Sequence, residues 1–170
     1  MGSEMCIRDR GNEGLENMMK SVRVDKLPSM VGQEIGVSQW YEVTQDAVNQ
    51  FSDITLDHQF IHVDEEKAAQ TPFGGTIAHG FLTLSMLSHF AETGAGLVID
   101  GTKMGVNYGF DKVRFIHPVR VGKKIRSRTV LQSFEDKGNG QYLLHNAITI
   151  EIQNVDKPAL VGVWLTMLVV

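Results

Sequence analysis

The sequence predicts an α+β domain in which an antiparallel sheet curls around one apolar helix. Three observations predict it. First, His79–Glu92 carries Phe81, Leu82, Leu84, Met86, Leu87 and Phe90 on nearly every side, the pattern of a helix buried all round. Second, residues 103–170 read as strands joined by turns. Third, no linker, repeat or low-complexity tract divides the 170 residues, a length that suits one domain with a sizeable core. One apolar helix and several long antiparallel strands have a simple packing solution, in which the sheet wraps the helix.

The elements follow in chain order. Residues 1–10, MGSEMCIRDR, show no periodicity and lead into no element. They read as foreign sequence of the kind a translated adaptor leaves, and the tail is expected to run on through residue 23. The domain is therefore expected over residues 24–170. Ile35–Val43 is a strand, because Trp40, Tyr41 and Val43 suit a pleated sheet. Thr44 is an N-cap, with Ala47, Val48 and Phe51 at helical spacing. Asp53–Ile61 is a polar turn, and Asp64 caps a short helix over Glu65–Gln70. Thr71–Gly75 must be loop, since proline and paired glycines break both helix and strand. Gly94 and Gly96 end the central helix.

Strands are expected at Gly105–Phe110, Val113–Phe115 and Lys124–Glu135, followed by a hairpin turn at Asp136–Gly140. In Gln141–Gln153, Ile148, Ile150 and Ile152 alternate with Thr149, Glu151 and Gln153, the period of a half-buried strand. Ala159–Val170 is too apolar for one wet face and reads as a central strand.

Composition narrows the function classes. Hydrophobic residues make up 42% and charged residues 21%, the balance of an ordinary globular domain. A net charge of -4 gives no electrostatic footprint for nucleic acid. An anionic substrate would need a local basic patch, for which Lys103, Lys112, Arg114 and Lys124 are candidates. The longest apolar run, Pro158–Val170, is too short to span a bilayer as a helix, and no secretory signal is visible. The only cysteine is Cys6, so no internal disulfide can form. A cytoplasmic location with no membrane partner is the expectation.

The chemistry concentrates in Phe51–Ser88. Asp57 and His62 lie five positions apart in a turn too polar to be core. A carboxylate and an imidazole brought together can divide proton work on one water. Downstream, Ala78-His79-Gly80 opens the apolar helix. A helix N-terminus offers free backbone N–H groups and a partial positive charge, and Gly80 leaves room for a ligand atom to approach. A carbonyl oxygen docked there would be polarised as an oxyanion. Other polar residues have plainer readings: His58 as a solvated loop residue, His79 as structural, and Asp64 as a helix cap. Asp57, His58 and His62 make a poor metal set, because sequence neighbours in a loop rarely aim at one ion. No Gly-x-Ser-x-Gly elbow and no phosphate-binding loop occurs.

The stretch resembles the signature of the MaoC-like dehydratases, the (R)-specific enoyl-CoA hydratase family of hot-dog fold. That signature corresponds here to Phe51, then Asp57-His58-Gln59-Phe60-Ile61-His62-Val63-Asp64, then Ile77-Ala78-His79-Gly80, with Ser88 eight positions beyond the glycine. The family's usual Asn-Pro is Gln59-Phe60 here, a departure similar to the nodulation-protein-N-like branch. The resemblance implies a single hot-dog domain that reversibly hydrates a trans-2-enoyl-CoA to an (R)-3-hydroxyacyl-CoA. It implies Asp57 and His62 as catalytic pair, Gly80 and Ser88 as oxyanion and substrate-binding residues, no metal and no cofactor. An acyl-CoA or related thioester would be the small-molecule partner, and a homodimer or larger homo-oligomer the assembly. The alternatives are an acyl-thioester-binding module or inactive dehydratase subunit, and a hot-dog thioesterase.

Overall fold

The computed structural model describes residues 20–170. The foreign reading of residues 1–10 lies outside them. The tail reading does not hold for residues 20–22, because Lys20–Val22 forms a strand, β1, parallel to β4 (Leu97–Ile99), with Val22 packed against the buried cluster that contains Leu27 and Ile99. Two-strand pairing across this sequence distance leaves no local periodicity to read.

After α1 (Leu27–Met30), the strand expected over Ile35–Val43 is two strands, β2 (Glu34–Val37) and β3 (Tyr41–Glu42). Both pair with β6, and the break between them lies at residues 38–40. Ser38 turns inward there, and its hydroxyl accepts from the Ser127 N–H at 2.9 Å. Thr44 caps α2 (Gln45–Thr55) by accepting the Ala47 N–H, as its position predicts. Val48 and Ser52 face inward while Ile54 stays in water. Leu56 ends α2 in the left-handed region, at φ 61°, and the reversal delivers Asp57.

Two short helices follow, α3 (Phe60–Val63) and α4 (Glu65–Ala69), the second capped by the Asp64 carboxylate on the Lys67 N–H. The loop then closes on itself through Gly75, at φ +146°, where a Cβ would stand 2.2 Å from Arg120 Nη2. Only glycine fits that approach. The central helical segment comprises α5 (Gly80–Ser85), α6 (Leu87–Phe90) and a wide final turn, Ala91–Ala95, which Gly94 ends at φ +122°.

The main sheet contains β5 (Met104–Phe115), β6 (Lys124–Gly138), β7 (Gln141–Ile152) and β8 (Val155–Val169), in the antiparallel order β2-β6-β7-β8-β5. β8 is interior, as its apolar run predicts. The two strands expected over Gly105–Phe115 are one strand, kept continuous by bulges, with Lys112 at φ 54° in the second. The β6–β7 turn shrinks to Asn139-Gly140, both with positive φ, the two-residue turn that suits twisted strands.

The core lies between the central segment and the concave face of the sheet. Phe90 is fully buried among Leu87, Ile148, Ile150 and Leu160. Burying such a ring contributes about 2–3 kcal/mol. The helix is not buried all round, however. Thr83, Leu87 and Phe90 face the sheet, but Phe81 is 67% exposed. The edge strand β5 also leaves Met104, Val106 and Tyr108 in water. No helix among the described residues is long and apolar enough to cross a membrane.

Candidate active site

Asp57 and His62 come together, but not in a wholly polar turn. Asp57 is exposed just after α2, whereas His62 sits on α3 and is buried, with only 6% exposure. The i-to-i+3 turn at Gln59–His62 rolls the ring inward. Its Nδ1 donates to the Ile77 carbonyl at 2.7 Å, so the proton sits on Nδ1 and Nε2 is left with a free lone pair. Burial pushes the imidazole below its ordinary value of 6.5. The Ile77 carbonyl opposes this, His79 adds to it, and the Asp57 carboxylate opposes it again without overcoming burial. His62 is therefore a neutral base near pH 7.

His79, the residue ahead of Gly80, does more than the sequence suggested. Its ring stacks on His62 with centroids 3.7 Å apart and planes 24° apart. Its Nε2 donates to the Asp57 backbone carbonyl at 3.0 Å and lies 3.2 Å from the Ser52 hydroxyl. One ring thus holds both the Asp57 loop and the face of His62. These contacts span 22 and 27 residues, beyond any local pattern. A ligand atom from each of Asp57, His62 and His79 lies within 4.8 Å of the others. By distance alone the three could surround a metal. Imidazoles ligate in their own plane, however, and two nearly parallel, stacked planes do not converge on one ion. The same spacing suits one water shared by a carboxylate and a base.

A support shell locks this corner. Gln45 Nε2 donates to the His62 carbonyl at 2.8 Å. Glu65 accepts the Thr76 N–H at 2.8 Å and the Thr76 hydroxyl at 2.7 Å, bonds that hold its carboxyl below the usual carboxylate range. Arg120 Nη1 donates to the Phe73 carbonyl at 2.5 Å. Glu65 and Gln45 were missed because nothing in their spacing marks them.

Gly80 begins α5 and lines, with His62, a cavity of about 430 Å³ walled by Phe73, Ile77, Thr83, Phe115 and Val119. First-turn N–H groups have no partner within their own helix. Ser88 does not join it. It is exposed and borders a different cavity, beneath the far half of the central segment. His58 turns outward to Asp53, at 2.8 Å.

A curled antiparallel sheet around one central helix is the architecture of the hot-dog fold. Residues 26–151 match the MaoC-like domain family, and the chain belongs to it. It is 45% identical to nodulation protein N of Rhizobium leguminosarum bv. viciae, over 88% of this chain and 93% of that protein. It is 44% identical to 3-hydroxyacyl-thioester dehydratase Z of Mycobacterium tuberculosis, over 82% of this chain and 91% of that protein. In fold it is similar to the MaoC-like dehydratase from Rhodospirillum rubrum, with a TM-score of 0.71 at 19% identity, over 87% of this chain and 97% of that one.

Proposed function

We propose that this chain is a lyase that adds water reversibly to a trans-2-enoyl-CoA, giving an (R)-3-hydroxyacyl-CoA. The observation that carries the reading is the closeness of the Asp57 carboxylate to a His62 ring whose Nδ1 is committed to Ile77. His62 Nε2 and the Asp57 carboxylate hold one water between them. As the water oxygen bonds to C3, the pair takes its proton, and electron density moves through C2 to the thioester oxygen. That oxygen is stabilised by the Gly80 N–H. The enolate then collapses and C2 receives a proton from the pair, so the sum is one water added. The thioester is its own electron sink, and the mechanism calls for no cofactor. The thioester-dehydratase name of a 44% identical relative supports the same reaction class. The test is loss of enoyl absorbance with crotonyl-CoA. Thiol release instead would make the protein a thioesterase, and saturable binding without turnover a binding module.

The buried imidazole sets the pH dependence. Because His62 stays neutral below its ordinary 6.5, hydration is expected to hold its rate down through pH 6.5 and to fall only in more acid solution. Stability follows the same sign: below about pH 6.5 the unfolded chain takes up a proton that the folded one resists, so folding weakens as pH falls. An acid limb in kcat/KM centred above pH 6.5 would assign it to another group.

We further propose that the chain self-associates along β5. A long edge strand with Met104, Val106 and Tyr108 in water toward one end, and half-exposed Phe115 against exposed Phe81 at the other, is a poor free surface. Sedimentation is expected to show a dimer or larger assembly, and Tyr108→Arg with Phe81→Glu to shift it to monomer. A monomeric parent chain would refute this.

A further inference from the structure

His79 sits where four pieces of the chain meet. It touches Phe51 and Ser52 of α2, the Asp57 turn and His62 of α3, and it stands just ahead of α5. It is buried, with 3% exposure. A backbone carbonyl can only accept, so the 3.0 Å contact between His79 Nε2 and the Asp57 carbonyl fixes the ring proton on Nε2. Nδ1 is then an acceptor, and it is buried with no hydrogen-bond partner. An unmatched buried acceptor is unfavourable. A phenyl ring would fill the same space and stack on His62 without that orphan. What the imidazole adds over a phenyl ring is the Nε2–H held on Asp57.

The two members of the pair are held unequally. His62 is fixed without His79: its Nδ1 donates to the Ile77 carbonyl at 2.7 Å, and its own carbonyl accepts from Gln45 Nε2 at 2.8 Å. Asp57 is exposed and follows Leu56, which is in the left-handed region. Its Oδ1 accepts the Gln59 N–H at 3.4 Å, too long a contact to fix a carboxylate. The hold that reaches Asp57 from the buried side is the His79 N–H on its backbone. We propose that His79 is a positioning residue, whose Nε2–H tethers the Asp57 backbone so that the carboxylate stays beside the His62 imidazole. Its stack on His62 is packing. The effect on rate rests on the hydratase reading; the tether does not.

Two substitutions in the full chain separate donor from ring. His79→Phe keeps a ring against His62 and removes the donor. His79→Gln gives up the ring and can still donate, because its side-chain nitrogen reaches about as far as Nε2. Crotonyl-CoA hydration by His79→Phe is expected to fall roughly 10-fold to 10²-fold in kcat with little change in KM, since a displacement of about 1 Å suffices. His79→Gln is expected to recover most of that loss. In the Asp57→Asn chain, His79→Phe is expected to cost less than about threefold more, because the carboxylate it positions is already gone. Amide hydrogen exchange at residues 56–59 is expected to quicken roughly tenfold in His79→Phe, the worth of one ordinary hydrogen bond, and to stay near the parent rate in His79→Gln. In the parent chain at neutral pH, imidazole nitrogen-15 shifts are expected to show His79 protonated at Nε2 and bare at Nδ1, a measurement that depends on no variant folding. A lone proton on Nδ1, equal losses in His79→Phe and His79→Gln, or a loss that persists in full in the Asp57→Asn chain would overturn the inference. A parent that hydrates nothing, with the exchange and nitrogen signals as expected, would refute the hydratase reading and leave the tether standing.

Discussion

Asp57→Asn and His62→Gln are each expected to fold and to lose roughly 10²–10⁴-fold in kcat, the usual worth of a positioned acid–base group. Asp57 is exposed, so the amide costs little in packing. His62 is buried, and the Gln side chain can still donate toward the Ile77 carbonyl, which limits the loss of stability. The double variant is expected to lose far less than the product of the two singles, because both groups act on one water. Crotonyl-CoA hydration and thermal unfolding, measured on the same preparations, check both halves. Near-normal turnover in either single variant sinks the assignment. A multiplicative double loss would mean that the two groups serve separate steps.

The pair was legible because its members lie close in sequence, and one helical turn suffices to bring them together. The elements around it were legible for a related reason. Ile148, Ile150 and Ile152 alternate, and alternation reports burial directly: all three are buried on β7. Thr44 and Asp64 announce caps by residue type and position. Ser88 shows where this stops. Eight residues along a helix is about 12 Å of axis, enough to carry Ser88 from the cavity of Gly80 to the next one, although a motif lists them together. The central helix misled differently. Apolar residues all round were read as burial within one chain, yet Phe81 is in water here. Apolarity records that a face is to be covered, not by which chain. His79, Gln45 and Glu65 act across long sequence separations, where no period or spacing carries a signal.

Gly80→Ala is expected to lower kcat by roughly 10-fold to 10²-fold with little change in melting temperature. From helix propensity alone the substitution is favourable, by about 1 kcal/mol. The structure adds an obstacle: a Cβ here would stand 2.9 Å from Cδ1 and Cε1 of Phe115. Real Cβ atoms do not approach so closely, so either the ring or the helix start must move. Phe115 is 50% exposed and can swing toward solvent, which protects the fold. Both responses reshape the cavity that Gly80 shares with His62. A displacement of about 1 Å between a carbonyl and its partners can cost on the order of 10²-fold. Losing an oxyanion donor outright costs roughly 10²–10³-fold, but alanine keeps its N–H, so the loss stays below that range. Phe115→Ala in the same chain removes the ring that the Cβ meets. The double variant is therefore expected to recover most of the rate lost by Gly80→Ala, which a general weakening of the helix would not allow. Undiminished turnover in Gly80→Ala would show that the thioester carbonyl does not dock at this helix start, and the oxyanion role would pass to another group.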